Sequence, residues 1–183
     1  MSSHSTIQDR SLADQPLAAF SQCHAGIVSR LQAFAQLPAL QAAAAQARSV
    51  AENTLALFRD AVYEHHADEE SELFPSVLRS AAKGEERERV RAMVQRLSAE
   101  HRAIEACWKK LEPAVKATAK GHATDLDLNA VEDLVAAYLA HAGFEEQEFL
   151  PLAQAILSRN QNHMEALDVS LHLRHAPPVV GHI

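Results

Sequence analysis

Two stretches of the chain repeat one pattern of residue types that can bind metal. HHADEESELFP spans residues 65–75, HAGFEEQEFLP spans residues 141–151, and the two align without a gap. Each has a histidine, a glutamate four residues later, a second glutamate directly after it, and an apolar pair before a proline. Residues four apart on a helix point in nearly the same direction. Each copy therefore places an imidazole and a carboxylate on one helix face.

The elements that must position these side chains are predicted to be four long helices. Aromatic residues make up only 5% of the chain, whereas 48% is hydrophobic and alanine is abundant, which favours helices packed closely on small side chains. Proline and the turn-forming glycines Gly84 and Gly121 mark the breaks. The predicted helices run from about Pro16 to Pro38, Leu40 to Ala82, Glu85 to Lys120, and from just after Asp127 through the second motif.

Short connections between long helices predict an all-α fold, an antiparallel up-down-up-down four-helix bundle with a short C-terminal helical tail. A length of 183 residues favours one domain with its own core. We expect residues 1–12 to be a disordered lead-in and residues 13–158 to form the bundle. Residues 159–183 are predicted to be a C-terminal extension that packs on the bundle.

The inward stripe of each predicted helix is apolar except near its middle. Apolar residues recur at spacings of three and four, as bundle helices require. The polar residues on the stripes are His24, His65, Glu69, His101, His141 and Glu145. Since successive helical residues are about 100° apart, His66 is predicted to be solvated. Glu70, Glu72, Glu146 and Glu148 are predicted to be solvated or to hold the free N–H of a ligand histidine.

Buried carboxylates need a positive partner, because burying an unpaired charge costs several kcal/mol. No lysine or arginine lies on the four stripes, and burial disfavours protonated histidine. Neutral imidazoles with carboxylates suit first-row transition metals. Four imidazoles and two carboxylates are too many for one closed tetrahedral zinc. They fit two octahedral ions bridged by carboxylates.

With these motifs the chain resembles the hemerythrin-like, or HHE cation-binding, domain family, over about Leu17 to Leu157. The resemblance rests on His24, the two repeated motifs and the pair Glu100–His101. It implies a four-helix bundle that holds two iron ions as an oxo- or hydroxo-bridged di-iron centre; an Fe–Zn or Mn centre is compatible with the same donors. The ligands it implies are His24, His65, Glu69, His101, His141 and Glu145.

The chain departs from the oxygen-carrying hemerythrins at Glu105, where those proteins have a second histidine four residues after the one that corresponds to His101. The chain is therefore more similar to the repair, sensing and regulatory members of the family. Glu105 is one helical turn from His101, so the sequence leaves it open as an additional ligand.

The function expected from these residues is to bind, sense or detoxify a small diatomic ligand (O₂ or NO) or peroxide, or to handle iron. The sequence leaves open whether the protein is an enzyme. One alternative is a ferritin-like di-metal oxidase or peroxidase, but that architecture uses Glu-x-x-His motifs, and no histidine here has a glutamate three residues before it. The other is a metal-free helical interaction module, in which the core histidines would accept replacement like other core residues.

The charge and the cysteine content limit the partners and the cellular location that we expect for the protein. The formal net charge of −7 without a dominant basic patch argues against nucleic-acid or membrane partners. Cys23 and Cys107 are too few for a disulfide framework. The N-terminus lacks the apolar core of a signal peptide, so we expect a cytoplasmic protein. The sequence does not specify the oligomeric state.

Overall fold

The computed structural model describes the backbone of residues 8–159 and the side chains of residues 22–159. Every regular element in that range is helical. The α-helices are α1 (Gln8–Ala35), α2 (Leu37–Leu57), α3 (Tyr63–Asp68), α4 (Phe74–Ser80), α5 (Glu85–Ala119), α6 (Leu128–Phe144) and α7 (Leu150–Leu157). Three π-helical turns join some of them: Phe58–Val62, Glu69–Leu73 and Glu145–Phe149. The chain divides into two units, Met1–Ala47 and Arg48–Ile183.

The first unit contains α1 and the first half of α2, with only Gln36 between the two helices. Pro38 does not separate them further, because proline is tolerated in the first turn of a helix. Since α1 begins at Gln8, it overlaps the end of the predicted lead-in over residues 1–12, and the disorder of that lead-in stays a prediction. Helix-forming residues such as Gln, Arg, Leu and Ala extend the helix upstream of Pro16.

Two parts of the predicted domain organisation fall at the ends of the chain. Residues 1–7 of the lead-in and residues 160–183 of the predicted C-terminal extension lie outside the described residues.

The stripe of α1 that is predicted to face inward is exposed in the first unit. The exposed fractions are 50% for Ile27, 60% for Leu31 and 69% for Phe34.

The second unit contains three long helical rods: residues 48–80, α5, and residues 128–157. Gly84 (φ 95°) and Gly121 (φ 75°) adopt the left-handed backbone that favours glycine. The Asp127 carboxylate caps α6 by accepting from the backbone N–H groups of Asn129 and Ala130. The boundaries predicted at Gly84, Lys120 and Asp127 are confirmed, and so is the all-α helical-bundle class.

The core of the second unit consists of two apolar clusters. One contains Leu73, Phe74, Val77, Ala81, Val90, Met93, Leu97, Phe149, Ala153, Ile156 and Leu157. The other contains Ala51, Phe58, Val62, Ile104, Trp108, Leu111, Val115 and Leu134. On each rod, the residues between the two clusters include buried polar side chains: His66 and Glu69, then His101, then His141 and Glu145. A polar layer therefore separates two apolar layers.

Two of the π turns fall at the same place in the repeated motifs. The N–H of Phe74 donates to the carbonyl of Glu69, and the N–H of Leu150 donates to that of Glu145, each an i→i+5 bond. A proline follows directly in both copies. Proline lacks an N–H and its ring crowds the carbonyl four residues earlier, and a wider turn relieves that conflict. The π turn at Phe58–Val62 has no such counterpart, because the aligned residues 134–138 are α-helical.

Replacing Trp108 should test the apolar layer formed with the first rod. Its ring stacks on Phe58 with the ring centroids 4.0 Å apart, and the side chain is buried. We expect Trp108→Ala to lower the free energy of unfolding by about 3–5 kcal/mol, measured by urea denaturation. The neighbouring exposed substitution Lys109→Ala should change it by no more than about 0.5 kcal/mol. Equal effects of the two substitutions would contradict this packing.

Candidate metal centre

The polar layer of the second unit brings histidines and glutamates together in two groups. Within each group, one ligand atom per residue lies within 4.8 Å of the others. The first group is His66, His101 and His141, all buried, and the second is His65, Glu69 and Glu145. Each of the three rods contributes to this layer.

The two groups are in direct contact with each other. His101 Nε2 lies 3.2 Å from Glu69 Oε2, and His65 Nε2 lies 3.3 Å from Glu69 Oε1. On the other side, His141 Nε2 lies 3.9 Å from Glu145 Oε2. The ring of His66 stacks on that of His101, with centroids 3.9 Å apart. The six side chains thus form one continuous cluster.

Each buried imidazole is held at Nδ1 by a glutamate outside the two groups. The distances are 3.1 Å for His66 to Glu105, 2.8 Å for His101 to Glu70 and 3.2 Å for His141 to Glu100. An ionised carboxylate can only accept, so Nδ1 carries the proton in each ring. Nε2 is then the lone-pair nitrogen of each ring in its neutral form.

The inner atoms of this cluster have no hydrogen-bond partner. They are buried Nε2 atoms of His66, His101 and His141 and the Oε2 atom of Glu69. Buried acceptors without a donor are costly. Metal cations would satisfy them, since imidazole nitrogen and carboxylate oxygen are ligands of first-row metals. The residues present therefore fit a metal site.

The carboxylates of Glu69 and Glu145 titrate as a pair. Burial and the neighbouring Glu69 raise the pKa of Glu145 to about 9. Burial opposes ionisation of Glu69 too, but its contacts with His101, Glu145 and His65 outweigh burial and hold the pKa of Glu69 well below its usual range. At pH 7 the metal-free pair therefore keeps one proton.

The imidazoles differ in their protonation. Burial lowers the pKa of His66 and of His141, despite their glutamate partners. Burial acts in the same direction on His101, but Glu69 and Glu70 outweigh it and raise the pKa of that ring. His66 and His141 are thus neutral at pH 7, the form that binds metal.

The prediction that His66 is solvated is wrong, because its side chain is only 2% exposed, whereas that of His65 is 42% exposed. The π turn at Phe58–Val62 widens the helix. His66, four residues after Val62, therefore faces the core instead of His65. The second motif lacks this extra turn, and there His141, which aligns with His65, is buried. A strict helical period cannot show such a shift.

The other predicted residues have mixed outcomes. The structure brings His65, Glu69, His101, His141 and Glu145 together, but their role as ligands stays a prediction. Glu70 holds the N–H of His101, which confirms the prediction that an outer glutamate does so. Glu105, left open as a ligand, contacts the outer nitrogen of His66 instead.

His24 lies on α1 in the first unit, with an exposed side chain. The ligand role that the resemblance implies for it stays a prediction.

Comparison with known families agrees with the motifs and the cluster. The family model for the hemerythrin HHE cation-binding domain matches residues 15–153, most of the chain, and the protein belongs to this family. Searches of curated proteins and of solved structures found no significant match. Across the described residues, no helix is both long and apolar enough to cross a membrane.

Separate substitution of His65 and His66 should distinguish the roles of these neighbouring histidines. Loss of a residue that supports a metal ligand typically lowers metal affinity by about 10–100-fold. Loss of a ligand imidazole itself should lower it by at least as much. We expect His66→Ala to lower the affinity for Fe²⁺ by at least about tenfold, and by more than His65→Ala does. The measurement is anaerobic competition with a chromophoric chelator. A larger loss for His65→Ala would show that the shift in helix register is incorrect.

Metal binding should release a proton from the pair of Glu69 and Glu145. A carboxyl group with a raised pKa is protonated at pH 7, and a coordinating carboxylate must be deprotonated. Between pH 7 and 9, affinity for Fe²⁺ should therefore rise, by up to about tenfold per pH unit for one proton. Calorimetry in buffers with different protonation enthalpies measures the proton. Glu145→Gln should abolish this release; a wild-type protein that releases none would contradict the shared proton.

Proposed function

We propose that this chain is a non-haem di-iron protein of the hemerythrin type that binds, senses or detoxifies O₂, NO or peroxide, or handles iron. One observation supports it most: three buried imidazoles present unpaired Nε2 atoms beside two carboxylates that share a proton. No arginine or lysine is among the buried residues that the structure describes. A pair of cations would neutralise the carboxylates of such a cluster and bind its nitrogen atoms.

The residues that would hold two ions are the two groups of the cluster. His66, His101 and His141 supply nitrogen atoms, and His65, Glu69 and Glu145 supply one nitrogen and the carboxylates. His24 is the remaining candidate ligand. Iron bound there would supply redox chemistry and open coordination positions for a small ligand.

The surrounding side chains determine what reaches the cluster. Apolar residues on both sides, including Leu97 and Ile104 on α5, exclude water along the rods. His65 is the partly exposed member, so we propose that a small ligand approaches on the side of His65, Glu69 and Glu145. Glu145 can hold a proton there, because its pKa is raised to about 9 by burial and by Glu69.

Tyr138 is a second protonated group near the cluster. Its ring centroid lies 6.1 Å from that of His141. Burial and the charges of Glu69 and Glu145 raise the pKa of its hydroxyl. Tyr138 therefore keeps its proton at neutral pH and can act as a hydrogen-bond donor on this side of the site.

We further propose a cytoplasmic protein whose partner is a small molecule rather than a nucleic acid or a membrane. The acidic net charge of −7 and two free cysteines support this proposal. Iron is proposed over zinc or manganese on the family resemblance, since the donors themselves accept each of these metals.

Metal analysis with a matched pair of histidine variants tests the proposed function. Wild-type protein reconstituted with Fe²⁺ should hold about two irons per chain, as its donor set indicates, and should develop near-ultraviolet charge-transfer absorption in air. His101→Ala should lose most of this iron, because it removes a fully buried ring between the two groups. His122→Ala, at an exposed loop position, should load like the wild type.

Ligand binding is tested by adding NO or O₂ to the reduced, iron-loaded protein without air. The absorption spectrum should change in the wild type and in His122→Ala, and not in His101→Ala. Protein that binds only zinc or no metal would refute the proposal. The metal-free alternative predicts instead that His101→Ala behaves like any other core substitution, affecting only the free energy of unfolding.

A further inference from the structure

The three glutamates that hold the buried imidazoles are separate from the proposed ligands. Glu70 contacts Nδ1 of His101, Glu100 contacts that of His141, and Glu105 contacts that of His66. Every contact is on the ring nitrogen opposite the unpaired Nε2. In each case a carboxylate binds the outer edge of a ring whose inner edge faces the cluster.

Two of these glutamates are themselves held by arginines near the surface. The guanidinium of Arg102 binds both carboxylate oxygens of Glu70, at 2.6 and 2.7 Å. Arg96 donates from Nε to Glu100 at 2.7 Å and lies 3.6 Å from the ring centroid of Phe144. The side chains of Arg102 and Arg96 are 63% and 50% exposed. Two continuous paths thus run from surface to cluster.

From this arrangement we propose that Glu70, Glu100 and Glu105 are positioning residues for the three imidazoles, and that Arg102 and Arg96 secure two of them from the surface. The inference rests on the proposed metal-binding function. A neutral imidazole can carry its proton on either nitrogen and can rotate about its side-chain bonds. A carboxylate at Nδ1 fixes both the tautomer and the ring orientation, and it makes Nε2 a stronger donor to metal.

The contact of Glu70 with His101 has the best geometry of the three. Its 2.8 Å distance is the shortest, and Arg102 grips the carboxylate at both oxygens, a geometry that gives strong and specific binding. His101 is fully buried, with its Nε2 beside Glu69. The effect of substitution should therefore be largest at Glu70.

The alternative is a purely structural role, in which the contacts of Glu70, Glu100 and Glu105 with the histidines only stabilise the fold. The two roles differ in what they predict for the imidazole protons of the metal-free protein. Positioning predicts that His66, His101 and His141 have the proton on Nδ1, and that loss of one glutamate changes the tautomer of one ring only. A structural role predicts a change in the free energy of unfolding without that change of tautomer.

The experiment measures two quantities in the full chain: imidazole tautomers by ¹⁵N NMR of metal-free protein, and Fe²⁺ affinity by anaerobic chelator competition. Glu70→Leu should weaken Fe²⁺ binding by about 10–100-fold, as is typical for such supporting carboxylates. Glu70→Gln, which keeps an acceptor oxygen, should lose less. Arg102→Met should lose less still and leave the His101 proton on Nδ1.

Arg91 supplies the matched control, because it is also half-exposed on α5 and pairs with Glu88 on the surface. Arg91→Met should leave both quantities unchanged. Wild-type Fe²⁺ affinity together with an unchanged His101 tautomer in Glu70→Leu would overturn the inference. Should Glu70→Leu not fold, wild-type values of both quantities in Glu70→Gln, with unchanged Fe²⁺ affinity in Arg102→Met, would overturn it equally.

The two proposals fail in different ways. If wild-type protein binds no Fe²⁺, the proposed function fails, while the tautomers still decide whether the glutamates orient the rings. If wild-type protein binds Fe²⁺ and all Glu70 variants match it, only the positioning role fails.

Discussion

The second unit depends on one constraint. A thin polar layer between two apolar clusters holds buried nitrogen and oxygen atoms that have no hydrogen-bond donor. The Nε2 atoms of three imidazoles and an oxygen of Glu69 converge there. An apolar core would normally exclude such groups, because unpaired buried acceptors destabilise a fold. Their presence on three separate rods, at one level, makes sense for a family of cation-binding domains. Large apolar clusters lie on either side of this layer.

Irregular helical turns give this layer its geometry. The π turns that begin at Glu69 and Glu145 each precede a proline, so local backbone chemistry and the positions of the two carboxylates are linked. The π turn at Phe58–Val62 precedes only the first copy of the repeat. In that copy the buried histidine is therefore His66 instead of His65. A sequence repeat of high regularity therefore forms an asymmetric site, with one group of three imidazoles and a more exposed group with both carboxylates.

The outer glutamates show how charge is distributed around such a layer. Negative side chains at the outer edges of the rings leave the inner nitrogens free, and arginines balance those charges where water is close. Attraction between exposed charges is weak, but here each pair is connected through a buried ring to the cluster. The electrostatic arrangement thus extends from the surface to the polar layer without placing a cation side chain inside it.

The sequence by itself determined the all-α class, the helix ends at Gly84, Lys120 and Asp127, and the level at which polar residues interrupt the core. These follow from local rules: hydrophobic period, capping and glycine or proline at breaks. It could not determine that the side chain of His66 is buried while that of His65 is partly exposed, or that Glu105 contacts the outer nitrogen of His66. Those outcomes depend on helix widening and on contacts between rods, such as Glu105 to His66 across 39 residues of chain. Such features depend on packing over the whole unit, and only the tertiary structure decided them.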